Sequence, residues 1–391
     1  MDQPVIISAT RTPVGKFGGA MKDLAATKIG AVAVREAVRR AALDPKDVEE
    51  CIMGNVLSAG LGQNPARQAA LYGGLSDEVA ALTVNKVCGS GLKAVMLASD
   101  AILAGKEKII VAGGMESMTN SPYILDKARF GYKLFDSTLV DSMVRDGLWE
   151  AFNNFHMGNT GEIVAQRNNV TRVDADKFSL WSHQKAVQAI KSGAFKDEIV
   201  NVELPSKKDV SIFSQDEGPR EDTTLEALAR LKPVFKSDGV LTAGNSSSIN
   251  DGASALVVMS ADAAKERGFK PLVKVVDYTT SGVKPELLME APIHAVRKLL
   301  QRNNLEIKDI DLFEHNEAFS TASVATMRVL GVSEDRFNVN GGGVSLGHPI
   351  GCSGARVLTT LIYAMRARGA KRGLATLCLG GGNAVAMLVE Q

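Results

Sequence analysis

"CGSGLKAVMLASDAILAGKEKIIVAGG", residues 88–114, is answered by "GCSGARVLTTLIYAMRARGAKRGLATL" at residues 351–377. Each stretch opens on a small-residue turn, passes through a helical apolar pattern and ends in a short apolar strand. A second pair lies upstream in the same order. "AVRRAALDPKDVEECIMGNV" from Ala37 is echoed by "AVRKLLQRNNLEIKDIDLFEHNEAF" from Ala295, with four residues inserted before the Lys-Asp pair. Two matches in register imply a duplicated half-domain. Within each copy, strands alternate with amphipathic helices, as in "PVIIS", "ATKIGAVAVREAVRRAAL", "CIMGNVL" and "KIIVAGGM", which predicts an α/β layered fold.

The segment from about Asn120 to Ser248 has a different character. It is more polar, carries the charged run "SQDEGPREDTT", and contains a helical stretch around "DADKFSLWSHQKAVQAIKSG" with Asp174 or Asp176 as the candidate N-cap. We read it as an insertion in the first half. The expected division is therefore residues 1–119 with 249–270, the insertion 120–248, and a second half 271–391. Long insertions of this kind often carry ligand contacts.

At 391 residues the chain has room for two or three domains. Its 45 basic and 44 acidic side chains give a net charge of +1, so neither nucleic acid nor an anionic membrane is the expected partner. Cys51, Cys88, Cys352 and Cys378 are far apart with no C-x-x-C spacing, which speaks against zinc and against a secreted disulfide scaffold. No leader, membrane span or carboxyl-terminal address is readable, and a cytoplasmic location is expected.

The glycine clusters "NGGGVSLGHPIG" and "CLGGGN" match neither the dinucleotide fingerprint nor a P-loop. They do offer backbone N–H groups unobstructed by side chains. Beside such turns stand Cys88 in "CGSG", His348 in "LGHPIG" and Cys378 in "CLGGG". Cys88 and His348 precede helical runs, and a thiolate at a helix N-terminus is favoured by the dipole and by unpaired N–H groups. Asn316, at the end of the strand "IDLFE", is placed to anchor a loop, hold a water or donate to a developing oxyanion. Cys51 and Cys352 read as core; His183 and His294 read as solvated or capping.

"VCGSGLKAV", "NEAF", "GGGVSLGHPIGCSGAR" and "CLGGGNAVAM" resemble the signature blocks of the thiolase family, and "SATRTPVGKFGGA" and "TAGNSSSINDGAS" resemble two further blocks. The resemblance spans essentially the whole chain, and "MVRDGLWEAFNNFHMG" resembles the short-chain biosynthetic branch. It implies a five-layered α-β-α-β-α fold of two halves with an inserted loop domain, and a homotetramer. It implies Cys88 as acyl-accepting nucleophile, His348 as its activator and Cys378 as the base that deprotonates a second acetyl-CoA. Asn316, through a water, and His348 would stabilise the enolate; the N–H groups of Cys88 and Gly380 would form a second oxyanion hole. Acyl-CoA and CoA would be the ligands, with no metal or cofactor. CoA contacts transfer to Leu148, His156, Met157, Arg220, Phe235, Ala243, Ser247, Ala318 and Phe319.

The implied reaction is reversible condensation of two acetyl-CoA. Other readings are a degradative thiolase of broader chain length, a ketoacyl synthase, which uses a cysteine with two histidines, and an acyl-CoA binder without chemistry. The chain departs from the family pattern at "LLMEAP", affecting Leu288 and Glu290, and at Ser248, His315 and Cys352.

Overall fold

The computed structural model describes residues 2–204 and 210–391. In the first half, strands β1 (Pro4–Arg11), β2 (Glu50–Gly54), β3 (Ala80–Val84) and β4 (Ile109–Ser117) are joined by helices α1 (Ala26–Arg40), α2 (Pro65–Tyr72) and α3 (Ser90–Leu103). The insertion contributes α4 (Met157–Arg167) and α5 (Arg172–Ser192), after which β5 (Asn250–Ser260) returns between β1 and β4. The second half holds β6 (Val273–Gly282), α6 (Ala291–Arg302), β7 (Leu312–His315), α7 (Ser320–Leu330), α8 (Ile350–Arg368), β8 (Arg372–Leu379) and β9 (Asn383–Glu390).

The strands follow the order β7-β8-β9-β6-β1-β5-β4-β2-β3. The halves meet where β1 and β6 pair over only Val5↔Lys274 and Ile6↔Val273. Strands β2 and β4 pair in parallel, as do β7 and β8, so the duplicated stretches occupy matching places.

Strand alternation builds the layers. Along β4, Ile109, Val111 and Met115 face one core with α1 and α2, while Ile110 and Ala112 face another with α3 and α8. Along β9, Val385, Met387 and Val389 join that same central core, while Ala384, Ala386 and Leu388 face α6 and α7. Helices α3 and α8 thus form the middle of five layers. They touch at equivalent glycines: a Cβ on Gly91 would lie 2.6 Å from Ala355 N, and one on Gly354 would lie 2.3 Å from Leu92 N. No side chain fits at either crossing point.

Two expectations are corrected here. The N-cap of α5 is Thr171, not Asp174 or Asp176: the Thr171 side chain accepts the Asp174 N–H and Asp174 returns to the Thr171 N–H, a reciprocal capping box. Asp176 is buried instead and pairs with Arg172 and Asn245. His183 is buried rather than solvated, and its Nδ1 accepts the Arg220 backbone N–H at 3.1 Å.

Candidate active site

Cys88 lies in the turn between β3 and α3, immediately before Gly89, the N-cap of that helix. Val87 is held at φ +47°, a left-handed conformation that a β-branched residue rarely adopts and that costs about 1–3 kcal/mol. Ser90 clamps the turn: its hydroxyl donates to Val87 O at 2.6 Å and accepts from Lys86 N at 2.8 Å. The backbone N–H groups of Gly380 and of Cys88 itself lie near enough to the Cys88 sulfur to favour its thiolate.

Burial pushes the Cys88 thiol up to about 12, and those two N–H groups recover only part of the cost. The expected thiolate-favouring effect of the helix N-terminus is therefore outweighed in the free protein. Cys88 stands outside the first turn, and taking the charge out of water dominates.

Cys378 sits at the end of β8, fully buried, with its thiol pushed above the ordinary range by burial and then by the neighbouring Cys88. Its S–H donates to the Met289 thioether, 3.5 Å away. His348 is buried; burial first, then Arg356, lowers its pKa to about 3, so the imidazole is neutral. Its Nδ1 is 2.5 Å from Ser353 Oγ, and Ser353 in turn donates to Pro349 O at 2.8 Å. With the hydroxyl proton committed to that carbonyl, Ser353 accepts from Nδ1–H, which leaves the lone pair on Nε2.

The backbone around His348 is fixed from another element. Its N–H donates to Asn250 Oδ1 at 2.9 Å, and the preceding Gly347, at φ +108°, could carry no Cβ because Asn250 would be 2.4 Å away. Asn316 follows β7, and its Nδ2 lies 3.4 Å from His348 Nε2. Its buried Oδ1 has no partner, an expense accepted at few positions in a folded chain.

Cys88, His348, Cys378 and Gly380 line one cavity of about 50 Å³, with Asn316 behind the His348 ring. Leu148, Met157, Ser247, Ala318 and Phe319 line it as well. Ser247 also lines a larger surface groove of about 630 Å³, together with Arg220, Phe235 and Ala243. His156 lines neither space but stacks on Phe235 with centroids 4.8 Å apart, over Gly158, where a Cβ would strike the ring at 2.2 Å. Ser247 is thus the residue shared by the inner cavity and the outer groove.

Of the departures, Leu288 lines the inner cavity, whereas Glu290 turns away to Arg167 at 2.8 Å. Ser248 donates to Asn250 Oδ1 at 2.9 Å, and Cys352 is buried with its thiol pushed up to about 12 by burial. His315 is buried, bonded to Ser323 at 3.0 Å and lowered to about 3 by burial.

Four supporting residues escaped the sequence reading: Ser353, Asn250, Glu116 and Glu317. Glu116 accepts from Val56 N, Leu57 N, Asn55 Nδ2 and Gly351 N. Glu317 accepts from Ser182, Asn338 and Val344 N, which ties the loop before His348 to Asn316. Only the glycine-rich neighbourhood of Ser353 and the Ser-Asn cluster around Asn250 carry any local signal.

Two duplicated α/β halves bring two cysteines and a histidine to one cavity, and the chain belongs to the thiolase family. Its N-terminal domain matches residues 4–262 and its C-terminal domain residues 269–391. The chain is 50% identical to an acetyl-CoA acetyltransferase of Escherichia coli (strain K12), covering 100% of both chains. It is 48% identical to a probable acetyl-CoA acyltransferase of Staphylococcus epidermidis (strain ATCC 12228 / FDA PCI 1200), covering 100% of this chain and 99% of the relative. The crystal structure of the Bacillus anthracis acetyl-CoA acetyltransferase superposes with a TM-score of 0.98 at 40% identity, covering 100% of this chain and 99% of the other.

Proposed function

We propose that the chain is an acetyl-CoA C-acetyltransferase, interconverting two acetyl-CoA with acetoacetyl-CoA and CoA through an acetyl group carried on Cys88. The observation that carries the reading is the meeting of Cys88, His348 and Cys378 around one small cavity of about 50 Å³.

His348 Nε2 takes the Cys88 proton as the sulfur attacks the thioester carbonyl, and the carbonyl oxygen receives the N–H groups of Cys88 and Gly380. CoA leaves as its thiol with the proton of Cys378, so that Cys88 is acetylated and Cys378 is left as a thiolate. Cys378, as thiolate, then removes a methyl proton from a second acetyl-CoA, with the enolate oxygen met by His348 and by a water on Asn316. The carbanion attacks the acetyl carbon, forming the new C–C bond and freeing Cys88. Each thiol must be ionised at its own step. The free-state preference for the neutral thiol is consistent with charge appearing only when substrate supplies hydrogen-bonding partners.

CoA lies in this reading along the groove of Arg220, Phe235, Ala243 and Ser247, with pantetheine passing Ser247 to the cavity. The domain division at residues 119, 248 and 270 accompanies the reading, supported by the return of β5 into the first half's sheet. So does a homotetramer, supported by Phe130, Leu134 and Phe135, which are 85%, 78% and 89% exposed on the insertion. No metal or resident cofactor is part of the proposal, in which CoA is substrate and product. A cytoplasmic location belongs to the proposal; what the structure contributes is that no described helix is long and apolar enough to cross a membrane.

Thiolysis of acetoacetyl-CoA by wild type, Cys88→Ala and Cys378→Ala tests the mechanism. Wild type is expected to turn over, Cys88→Ala to take up no acetyl group, and Cys378→Ala to be acetylated while barely turning over. Folded wild type without turnover would sink the proposal.

A further inference from the structure

We propose that Met289 is a specificity-determining residue that restricts the site to substrates with no branch on C2, the carbon deprotonated by Cys378. The inference rests on the acetyltransferase reading and goes beyond it by naming which 3-ketoacyl-CoA is refused, and why.

Met289 belongs to the turn Pro285–Glu290, which leads into α6. That turn packs on α4, the helix that begins at Met157, and on β8, the strand that carries Cys378. The Met289 side chain is 2% exposed and its sulfur touches the Cys378 sulfur at 3.5 Å. It lies in one buried cluster with Leu288 and Cys378, and Met157 packs against that cluster. The opposite side of the turn is anchored, since Glu290 accepts from both Arg167 and Asn168. Met289 is therefore held against the base from a fixed backbone, and it lines the cavity beside Cys378.

Chemistry places the substrate's C2 between the two cysteines. In thiolysis the Cys88 thiolate attacks C3, the C2–C3 bond breaks with its electrons passing to C2, and the Cys378 S–H delivers its proton there. The acyl-CoA containing C1 and C2 departs, and the acetyl group on Cys88 passes to CoA. With a methyl on C2 the same balance yields propionyl-CoA and acetyl-CoA. C2 must come within proton-transfer reach of Cys378, so a substituent on it has to occupy space immediately beside that sulfur. Met289 occupies space beside Cys378, in a cavity of only about 50 Å³. One further methyl has to displace a buried thioether whose backbone is pinned.

The test is thiolysis of acetoacetyl-CoA and of 2-methylacetoacetyl-CoA, with products separated as acetyl-CoA and propionyl-CoA, for wild type, M289A and M289L. A methyl group in an apolar pocket is worth 10–200-fold in discrimination, so wild type should prefer the unbranched substrate by about 100-fold in kcat/KM. M289A should shrink that ratio by at least about 10-fold, and M289L, which restores the bulk, should keep it within about 3-fold of wild type. Met289→Val, shorter but still apolar, replaces M289A if the alanine variant does not fold. Equal cleavage of both substrates by wild type overturns the role of Met289 and leaves the acetyltransferase reading standing. So does a variant that slows both substrates alike without changing their ratio. Failure of folded wild type on acetoacetyl-CoA sinks that reading and this inference together.

Discussion

The two halves use the same two strand ends for opposite purposes. In the first half the last parallel pair is Gly54↔Gly114, so Asn55 follows β2 and Glu116 stands two residues along β4. In the second half the last pair is His315↔Thr376, so Asn316 follows β7 and Cys378 stands two residues along β8. Asn55 donates to Glu116 at 2.7 Å, and Glu116 gathers three backbone N–H groups, including that of Gly351 at the start of α8. Asn316 and Cys378 make no such knot: the amide lies 3.4–3.5 Å from the His348 ring nitrogens, and the thiol donates to a thioether. One scaffold position is tied off and its equivalent is left with capacity to spare, and the cavity is found at the second.

Exchanging the fates of these positions gives the largest effects. Cys378→Ala should lower turnover by about 10³–10⁴-fold, the scale of a lost general base, with little change in unfolding free energy. Glu116→Ala should do the reverse. It strands several buried donors and should cost about 3–5 kcal/mol in urea unfolding, while the folded fraction still takes up acetyl on Cys88. Equal inactivation by both, at unchanged stability, would break the comparison.

The paired amides sharpen it at a smaller scale. Asn316→Ala should reduce kcat by about 10²-fold, as for loss of one oxyanion donor, and leave unfolding nearly unaltered. Asn55→Ala should leave kcat alone and cost about 1–2 kcal/mol of stability. Smaller again is Ser353→Ala, which frees His348 to place its proton on either nitrogen; kcat should fall by about 10-fold with KM for acetoacetyl-CoA unchanged. A change in KM alone would mean that Ser353 shapes the groove rather than the tautomer.

The difference in what could be foreseen has the same root. Cys88, His348 and Cys378 were legible because each sits in a local run of small residues that has no other evident purpose. The duplication was legible because apolar periodicity survives in both copies of α3 and α8. Glu116 and Glu317 were not, since their partners lie 59–61, 235, 135, 21 and 27 positions away, and nothing in a strand or loop pattern announces a long-range hydrogen bond. The α5 cap was missed because Thr171 and Asp174 both carry a capping oxygen, and only the geometry shows that they bond to each other. The upward push on the half-buried Cys88 thiol was missed for a further reason: helix position can be read from a pattern, whereas desolvation depends on the β8–β9 turn arriving from the other half.

One position earlier in each half, the contrast runs from apolar to charged: the pair Met53↔Gly113 corresponds to Glu314↔Ala375. Met53 is simply core, but Glu314 is 1% exposed, both of its oxygens lack hydrogen-bond partners, and Arg356 stands 4.0 Å away. Burial raises the Glu314 carboxyl from 4.5 to about 8, against the opposing pull of Arg356. A carboxyl whose folded-state pKa lies above its unfolded value contributes stability that is complete below the unfolded pKa and is lost as pH rises through the folded one. Wild-type stability should therefore decline between about pH 4.5 and pH 8 by as much as a few kcal/mol on account of this group. Glu314→Gln removes the ionisation, so its stability relative to wild type should climb across that window and level off above it. Urea unfolding at pH 5, 7 and 9 reads this directly. Parallel curves for the two proteins would mean that Arg356 keeps Glu314 ionised throughout, and that the second half has made the charged pair a stable substitute for Met53.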